Sequence, residues 1–272
     1  MDKSEQKHRK KLNAEQLEVL ELLHKFRFGS NDLIAQHFGK KDRSFVFKRL
    51  SILLEQELIG KRFDSSYRIQ GKPAAYYLTP TGARVLQERR SQEKPAINIK
   101  AIYKDKTVKD DFVRQCLDIF AAYNRLRVQH GDKLKFFTRV NLNYEHFDYF
   151  PKPLPDAYIR LRTSKEEKQY FLNFYYDNQP FFKAVKRIQA HVEYAESGDW
   201  DETGTDLPTL LNVCESGSLY KRLQKKAPKL IDDTWNEDVK FAITTRLELF
   251  SSSTAIWQSN EPEDPNKKLE EL

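Results

Sequence analysis

The stretch from Asn31 to Tyr77 constrains this chain most, because two short helical patterns run directly into two strand-type runs around a basic loop. Ahead of it, Asn13 stands as a cap before Leu17, Leu20, Leu23 and Phe26 at helical spacing. Glutamates are enriched early in that segment, where the positive end of a helix dipole favours them. Phe28-Gly29-Ser30 breaks this helix. Ser30 or Asn31 then caps a second, with apolar Leu33, Ile34 and Phe38 and Gly39 as terminator. After a turn at Lys40-Lys41-Asp42, a third helix is predicted from about Arg43 to Glu57. At about 100° per residue, Val46, Phe47, Leu50, Leu53, Leu54 and Leu58 gather on one face. Ser44, Phe45, Lys48, Arg49 and Ser51 fall on the other.

The segment that follows gives the second face a context. Leu58-Ile59-Gly60-Lys61-Arg62-Phe63 and Ala75-Tyr76-Tyr77-Leu78, around a Gly/Pro-containing basic loop that includes Tyr67-Arg68-Ile69-Gln70-Gly71-Lys72-Pro73, predict a hairpin attached to the third helix. Three helices with tight turns and such a hairpin make a winged helix-turn-helix, whose last helix enters the DNA major groove. On that expectation Ser44, Phe45 and Lys48 face the bases and Arg49 is a further DNA-binding candidate on the same face; ordinary surface residues of an amphipathic helix are the alternative for Lys48 and Arg49. Phe45 suits a thymine methyl, or alternatively packs on the hairpin or on a partner subunit. Lys61, Arg62, Arg68 and Lys72 would meet the sugar-phosphate backbone, which supplies affinity and register but little sequence information. Thr79-Pro80-Thr81-Gly82 caps a further helix carrying Val85 and Leu86.

Charge supports a polyanionic partner. Residues 1–110 hold 24 Lys and Arg against 14 Asp and Glu, whereas residues 111–272 hold 23 against 26. A basic first part joined to a mildly acidic second part is expected if the first part meets nucleic acid; a lysine-rich solvated surface is the alternative. Residues 1–11 form a short basic run expected to be a mobile arm. There is neither a signal-peptide core nor an apolar run near the roughly 18 residues of a membrane span, so the expected location is the cytoplasm. Two cysteines, Cys116 and Cys214, fit reduced buried thiols better than a disulfide or a zinc site. The histidines have no metal-ligand spacing, and nine glycines include no phosphate-cradling loop.

Two domains are expected: residues 12–90, a polar linker over 91–106, a second domain over 107–258, and a disordered tail over 259–272. Val108, Phe112, Cys116, Ile119, Phe120, Tyr123 and Leu126 mark a helix that Gly131 closes. Strands are predicted at 135–140, 156–161, 170–176, 210–214 and 239–244, with helices over 181–196 and 218–226. The fold class is thus a two-domain α+β and α/β chain, a winged helix-turn-helix followed by an α/β sheet domain.

Pro155-Asp156 before an apolar strand carrying Asn173 resembles the metal-binding core of the PD-(D/E)xK restriction-endonuclease-like fold. There, carboxylates on adjacent strands hold Mg²⁺ while a lysine supports water attack on a phosphodiester. With the winged helix, the long helix after the linker and the Leu210-Leu211-Asn212-Val213 strand ahead of a basic helix, the chain resembles the replication-relaxation family of plasmids and mobile elements. That resemblance implies DNA binding, with a role in plasmid replication, relaxation or transfer. It also implies a degenerate nuclease core: Asp156 holds the first acidic position, but Asn173 stands where a Glu would bind metal and Tyr175 where the lysine would be. Asp177, Lys183 or Lys186 are the substitutes at hand. No metal or other cofactor is then expected, Mg²⁺ entering only if the nuclease survives.

The function expected is sequence-specific binding of double-stranded DNA at a plasmid or mobile-element origin, without catalysis. Relaxase or replication proteins and a second copy of the chain are the expected partners. A Mg²⁺-dependent nuclease or nickase, and a winged-helix transcriptional regulator, are the alternatives.

Overall fold

The computed structural model describes residues 12–91, 95–142, 147–164, 166–232, 239–251, 256–259, 269 and 272. The basic arm at 1–11 lies outside them, as does most of the expected disordered tail. Within that tail, Leu269 donates its N–H to the Trp257 carbonyl at 3.0 Å, and Leu272 is buried. The chain divides into two units, Met1–Phe120 and Ala121–Leu272.

The first unit opens with α1 (Ala14–Phe26), fixed at its start by a capping box. Asn13 Oδ1 accepts from the Gln16 N–H at 2.8 Å, and Gln16 Oε1 accepts from the Asn13 N–H at 3.0 Å. Phe28-Gly29, expected only to break α1, forms a strand, β1 (Phe28–Gly29), and Ser30 caps α2 (Asn31–His37). Next come α3 (Arg43–Glu55) and β2 (Ile59–Arg62). A one-turn helix, α4 (Ser65–Ile69), precedes β3 (Ala75–Leu78) and α5 (Pro80–Arg89). The three strands make an antiparallel sheet in the order β1-β3-β2, with Tyr77 opposite Phe28 on one side and Gly60 on the other.

The connection between the two strands, expected as a basic loop, holds a short helix. Residues 65–69 are helical because Asp64 caps them, its carboxylate accepting from the N–H groups of Ser66 at 2.8 Å and Tyr67 at 3.2 Å. A local cap outweighs the strand preference of Tyr67 and Ile69, and Ile69 is left exposed. The presumed linker also holds structure, α6 (Ile99–Tyr103) and a 3-10 turn over Lys104–Lys106, with Ile102 and Asp105 buried. Five residues are too few for a periodic signal. Helix α7 (Asp110–His130) starts in this unit, where Val113 and Cys116 pack with Phe28 and Ala75.

The second unit is built on a six-stranded sheet in the order β4-β5-β6-β7-β8-β9. Its strands are β4 (Leu134–Thr138), β5 (Ala157–Arg162), β6 (Glu167–Tyr175), β7 (Thr209–Cys214), β8 (Phe241–Thr245) and β9 (Gln258–Ser259). The β6-β7-β8 pairs are parallel and the flanking pairs antiparallel. Parallel neighbours need crossovers, and α9 (Phe181–Ser197) and α10 (Gly217–Asp232) supply them. Short helices α8 (Arg139–Leu142) and α11 (Arg246–Ser251) follow β4 and β8. Ile188 and Val192 of α9 and Leu219, Leu223 and Ala227 of α10 share one core with Phe171, Tyr175, Leu210 and Phe241 of the sheet. Helix α10 runs on through Pro228, past its expected end at Lys226, because Ala227 and Leu230 remain buried on that core. Among the described residues no helix is long and apolar enough to cross a membrane.

Two glycines in the first unit are required by close approach. A Cβ on Gly60 would lie 2.2 Å from the Tyr77 ring, and one on Gly82 would lie 1.9 Å from the Leu58 carbonyl oxygen. Backbone cannot swing aside as a side-chain tip does. Gly82→Ala is expected to destabilise the protein by about 3 kcal/mol in urea unfolding. Gly217→Ala, which meets nothing within 4 Å, should stay within about 0.5 kcal/mol of the parent.

Candidate nucleic-acid interface

Burial along α3 sorts its residues by angle. Val46, Leu50 and Leu53 face the core. Ser44 and Lys48 lie on the far side, one turn apart and exposed, with half-exposed Ser51 beside them. Phe47, expected in the core, is 54% exposed on one flank of this solvent face, and Ile52 is exposed on the other. Asp42 caps the helix through the Ser44 N–H at 2.8 Å and takes the Ser44 hydroxyl at 2.6 Å, which holds its carboxyl below the usual range. The Ser44 hydroxyl thus already donates.

Phe45 and Arg49 are engaged with each other. Phe45 is half-buried, with the Arg49 guanidinium 3.2 Å from its ring centroid and Lys40 Nζ 5.0 Å from it. Arg49 in turn donates from Nε to Glu15 of α1 at 2.7 Å, from Nη2 to the same carboxylate, and from Nη1 to the Phe45 carbonyl at 3.0 Å. Arg49 is thereby engaged with α1 and with Phe45. The residue presented in their stead is Phe47, which the apolar stripe had concealed.

The basic residues after α3 also divide. Arg62 donates to the Val108 carbonyl at 2.5 Å and to Asp110 at 2.8 Å, and Lys72 Nζ lies 3.7 Å from the same carboxylate. The Tyr67 hydroxyl donates to Asp110 at 2.7 Å; this bond, with the two cations, holds the Asp110 carboxyl below the usual carboxylate range. Arg62 is thus half-buried in an internal cluster. Lys61 is exposed on β2, 5.0 Å from the half-exposed Phe63 ring, and Arg68 is exposed on α4. Lys40 and Lys41, read from sequence only as a turn, are exposed just before α3.

In the second unit Asp156, fully buried where β5 begins, is surrounded by donors. Its Oδ2 accepts from the Phe174 N–H at 2.7 Å and from Arg187 at 3.2 Å. Its Oδ1 accepts from Arg187 at 3.0 Å and lies 2.7 Å from Arg139 Nη2. Burial alone would push this carboxyl up, but the two guanidinium groups and the backbone N–H together hold it below the usual range. Asn173 is buried beside it in sequence register and donates to His191 Nε2 at 3.3 Å. That bond requires a neutral imidazole, and burial, with Arg187 nearby, pushes His191 down to about 3. Asp177 is exposed and taken up elsewhere: it accepts from the Ser216 hydroxyl at 2.8 Å, and its N–H donates to Glu215 at 2.8 Å.

This donor set does not fit Mg²⁺. Asp156 has both oxygens committed to cations, and its neighbours across β6 are an amide and a tyrosine. Among the described residues no group of three or more His, Cys, Asp or Glu side chains gathers as metal ligands. The guanidinium groups of Arg139 and Arg187 were not foreseen, since neither lies in the motif around Asp156.

A family model described as replication-relaxation matches residues 20–206. No curated protein matches the sequence. Two solved structures, described as restriction endonuclease FokI and as restriction endonuclease FokI bound to DNA, are each 12% identical to the chain and cover 88% of it, with TM-scores of 0.34 and 0.31. The chain covers 42% and 44% of theirs, so it spans less than half their length. Likeness at this level assigns no residue correspondence.

Removing one partner of a buried ion pair leaves the other uncompensated. Asp156→Asn and Arg187→Met are each expected to cost about 3–5 kcal/mol in denaturant unfolding, and the double variant less than their sum. His191 supplies a pH dependence of definite sign. Its folded value lies near 3 and its unfolded value near 6.5, so only the unfolded chain is protonated between them. Stability is expected to fall as pH drops through this window, by up to about 1.4 kcal/mol per unit from this group. Unfolding of His191→Gln between pH 6.5 and 4.5 should show a slope shallower by about one proton.

Proposed function

The chain belongs to the replication-relaxation family, and we propose that it is a sequence-specific binder of double-stranded DNA, acting in the cytoplasm at a plasmid or mobile-element origin. The observation that carries this reading is the solvent face of α3. It presents Ser44, Lys48 and Ser51 in one line, flanked by Phe47, with Lys40 and Lys41 ahead of it. In this reading the helices α1, α2 and α3 with the β1-β3-β2 sheet, within residues 12–90, form a winged helix. The N-terminal half of α3 meets base edges. Lys48 is the donor for a base acceptor and Phe47 the apolar contact for a thymine methyl. Lys61, Arg68, Lys40 and Lys41 neutralise phosphates, while half-buried Arg62 and exposed Lys72 pair with Asp110 and fix the β2–β3 connection.

The second domain, from about residue 107 to 258, is a platform derived from a nuclease core in which arginines replace the metal, so the chain acts without catalysis. Two guanidinium groups at Asp156 support this, since a carboxylate already paired twice does not offer a free edge to Mg²⁺.

The test begins with selection of bound duplexes from a random pool. One preferred sequence should emerge, and its affinity should fall steeply with salt. Lys48→Ala is expected to weaken the selected duplex by about 1–3 kcal/mol and to blur one position of the preference. Lys61→Ala should weaken all duplexes alike and reduce the salt slope by about one. If Lys48→Ala preserves the full preference, α3 is not the reading helix; if no preferred duplex emerges, sequence-specific binding is wrong.

A further inference from the structure

Where α9 begins, the second unit has an open pocket of about 290 Å³ whose lining includes Arg139, Tyr175, Gln179, Lys183, Lys186 and Arg187. Four of its lining residues are cationic and none is acidic. Among the described residues the acid paired with this group is Asp156, and its single charge is shared between Arg139 and Arg187. Lys183 and Lys186, three residues apart and exposed, add two further charges. The pocket therefore has a surplus of positive charge beside a helix N-terminus. Pro180, at that N-terminus, provides no side-chain cap for the first-turn N–H groups of α9.

A second observation points the same way. Tyr175 is 4% exposed, and its buried hydroxyl has no hydrogen-bond partner among the described residues. Arg187 Nε is likewise buried without one, although both Nη atoms are engaged. Buried polar groups are ordinarily paired, and an orphaned hydroxyl is destabilising. A polar occupant of the pocket would relieve that cost.

We propose that this pocket binds a phosphate group. A tetrahedral dianion or diester has several oxygens to accept from arginine, lysine and tyrosine at once, which a small monovalent anion has not. The positive end of α9 adds to the same field. This assignment is independent of α3 and holds whether the phosphate is free or belongs to a nucleic-acid backbone.

Two probes separate the sources. Inorganic phosphate is titrated into the full chain at constant ionic strength, with sodium chloride as the balancing salt, and the melting temperature and ³¹P linewidth are followed. A duplex lacking the preferred sequence is titrated in parallel. Phosphate is expected to raise the melting temperature saturably. Lys183→Ala/Lys186→Ala, which alters exposed side chains and should fold as the parent does, is expected to weaken binding at least tenfold. Tyr175→Phe should weaken it several-fold while leaving the unliganded protein as stable as the parent or more so. Loss of free-phosphate binding in these variants supports a site for a free phosphate. Loss confined to the duplex supports the same site with a phosphodiester as its occupant, and is separable from the α3 reading because Lys48 and Lys61 are intact. Equal responses to both probes in parent and variants would overturn the proposal.

Discussion

Asp156 is one carboxylate on which much of the second unit converges. Through it the start of β5 is tied to the Phe174 N–H of β6, to Arg139 of α8 and to Arg187 of α9. Arg187 also donates to the Leu154 carbonyl at 3.2 Å, and Arg139 to the carbonyls of Pro155 and Leu154, so the approach to β5 is pinned by the same guanidinium groups. A fully buried charge is tolerable only when paired and hydrogen-bonded, which makes this cluster an all-or-none feature. Its geometry decides the chemistry as well. A carboxylate committed to two arginines is an anchor, and the charge those arginines retain adds to that of Lys183 and Lys186 in the neighbouring pocket.

The first unit follows the same logic with weaker interactions at its surface. Glu15 and Arg49 join α1 to α3, and Arg49 lies across Phe45, which turns that ring inward and sets the rotation of α3. The exposed line of Ser44, Lys48 and Ser51 with Phe47 on its flank is a consequence. Asp110, at the start of α7, gathers Arg62, Tyr67 and Lys72 and so fixes the connection between β2 and β3. Basic residues there fall into two groups: some are structural donors, others are left facing solvent. Only the second group is suited to meet phosphates at little cost in broken interactions.

Much of the fold was legible. Helical spacing located α1, α3, α7 and α9, and alternation located β5 to β8. Capping residues Asn13, Ser30 and Thr79 are all used, and Asp42, read only as part of a turn, caps α3. The failures are equally instructive. Phe45 and Phe47 lie on opposite flanks of the apolar stripe of α3, so angle alone does not say which is covered; the position of Glu15 does. Arg62 and Lys72 have the same local signature as Lys61, and a pattern of charges holds no information on whether a carboxylate waits 48 residues away, as Asp110 does for Arg62. Asp64 preceding two serines was the signal for α4, which forms where only a basic loop was expected.

The sequence by itself determined the order and kind of the longer elements and the basic character of the first part. These follow from spacing, composition and residue identity, which act over a few neighbours along the chain. Tertiary structure alone decided which cations are free, which aromatic ring is exposed, and that Arg187, 31 residues from Asp156, neutralises it. Those outcomes depend on distances between segments remote in sequence, where Coulomb interaction and desolvation are set by three-dimensional proximity and burial.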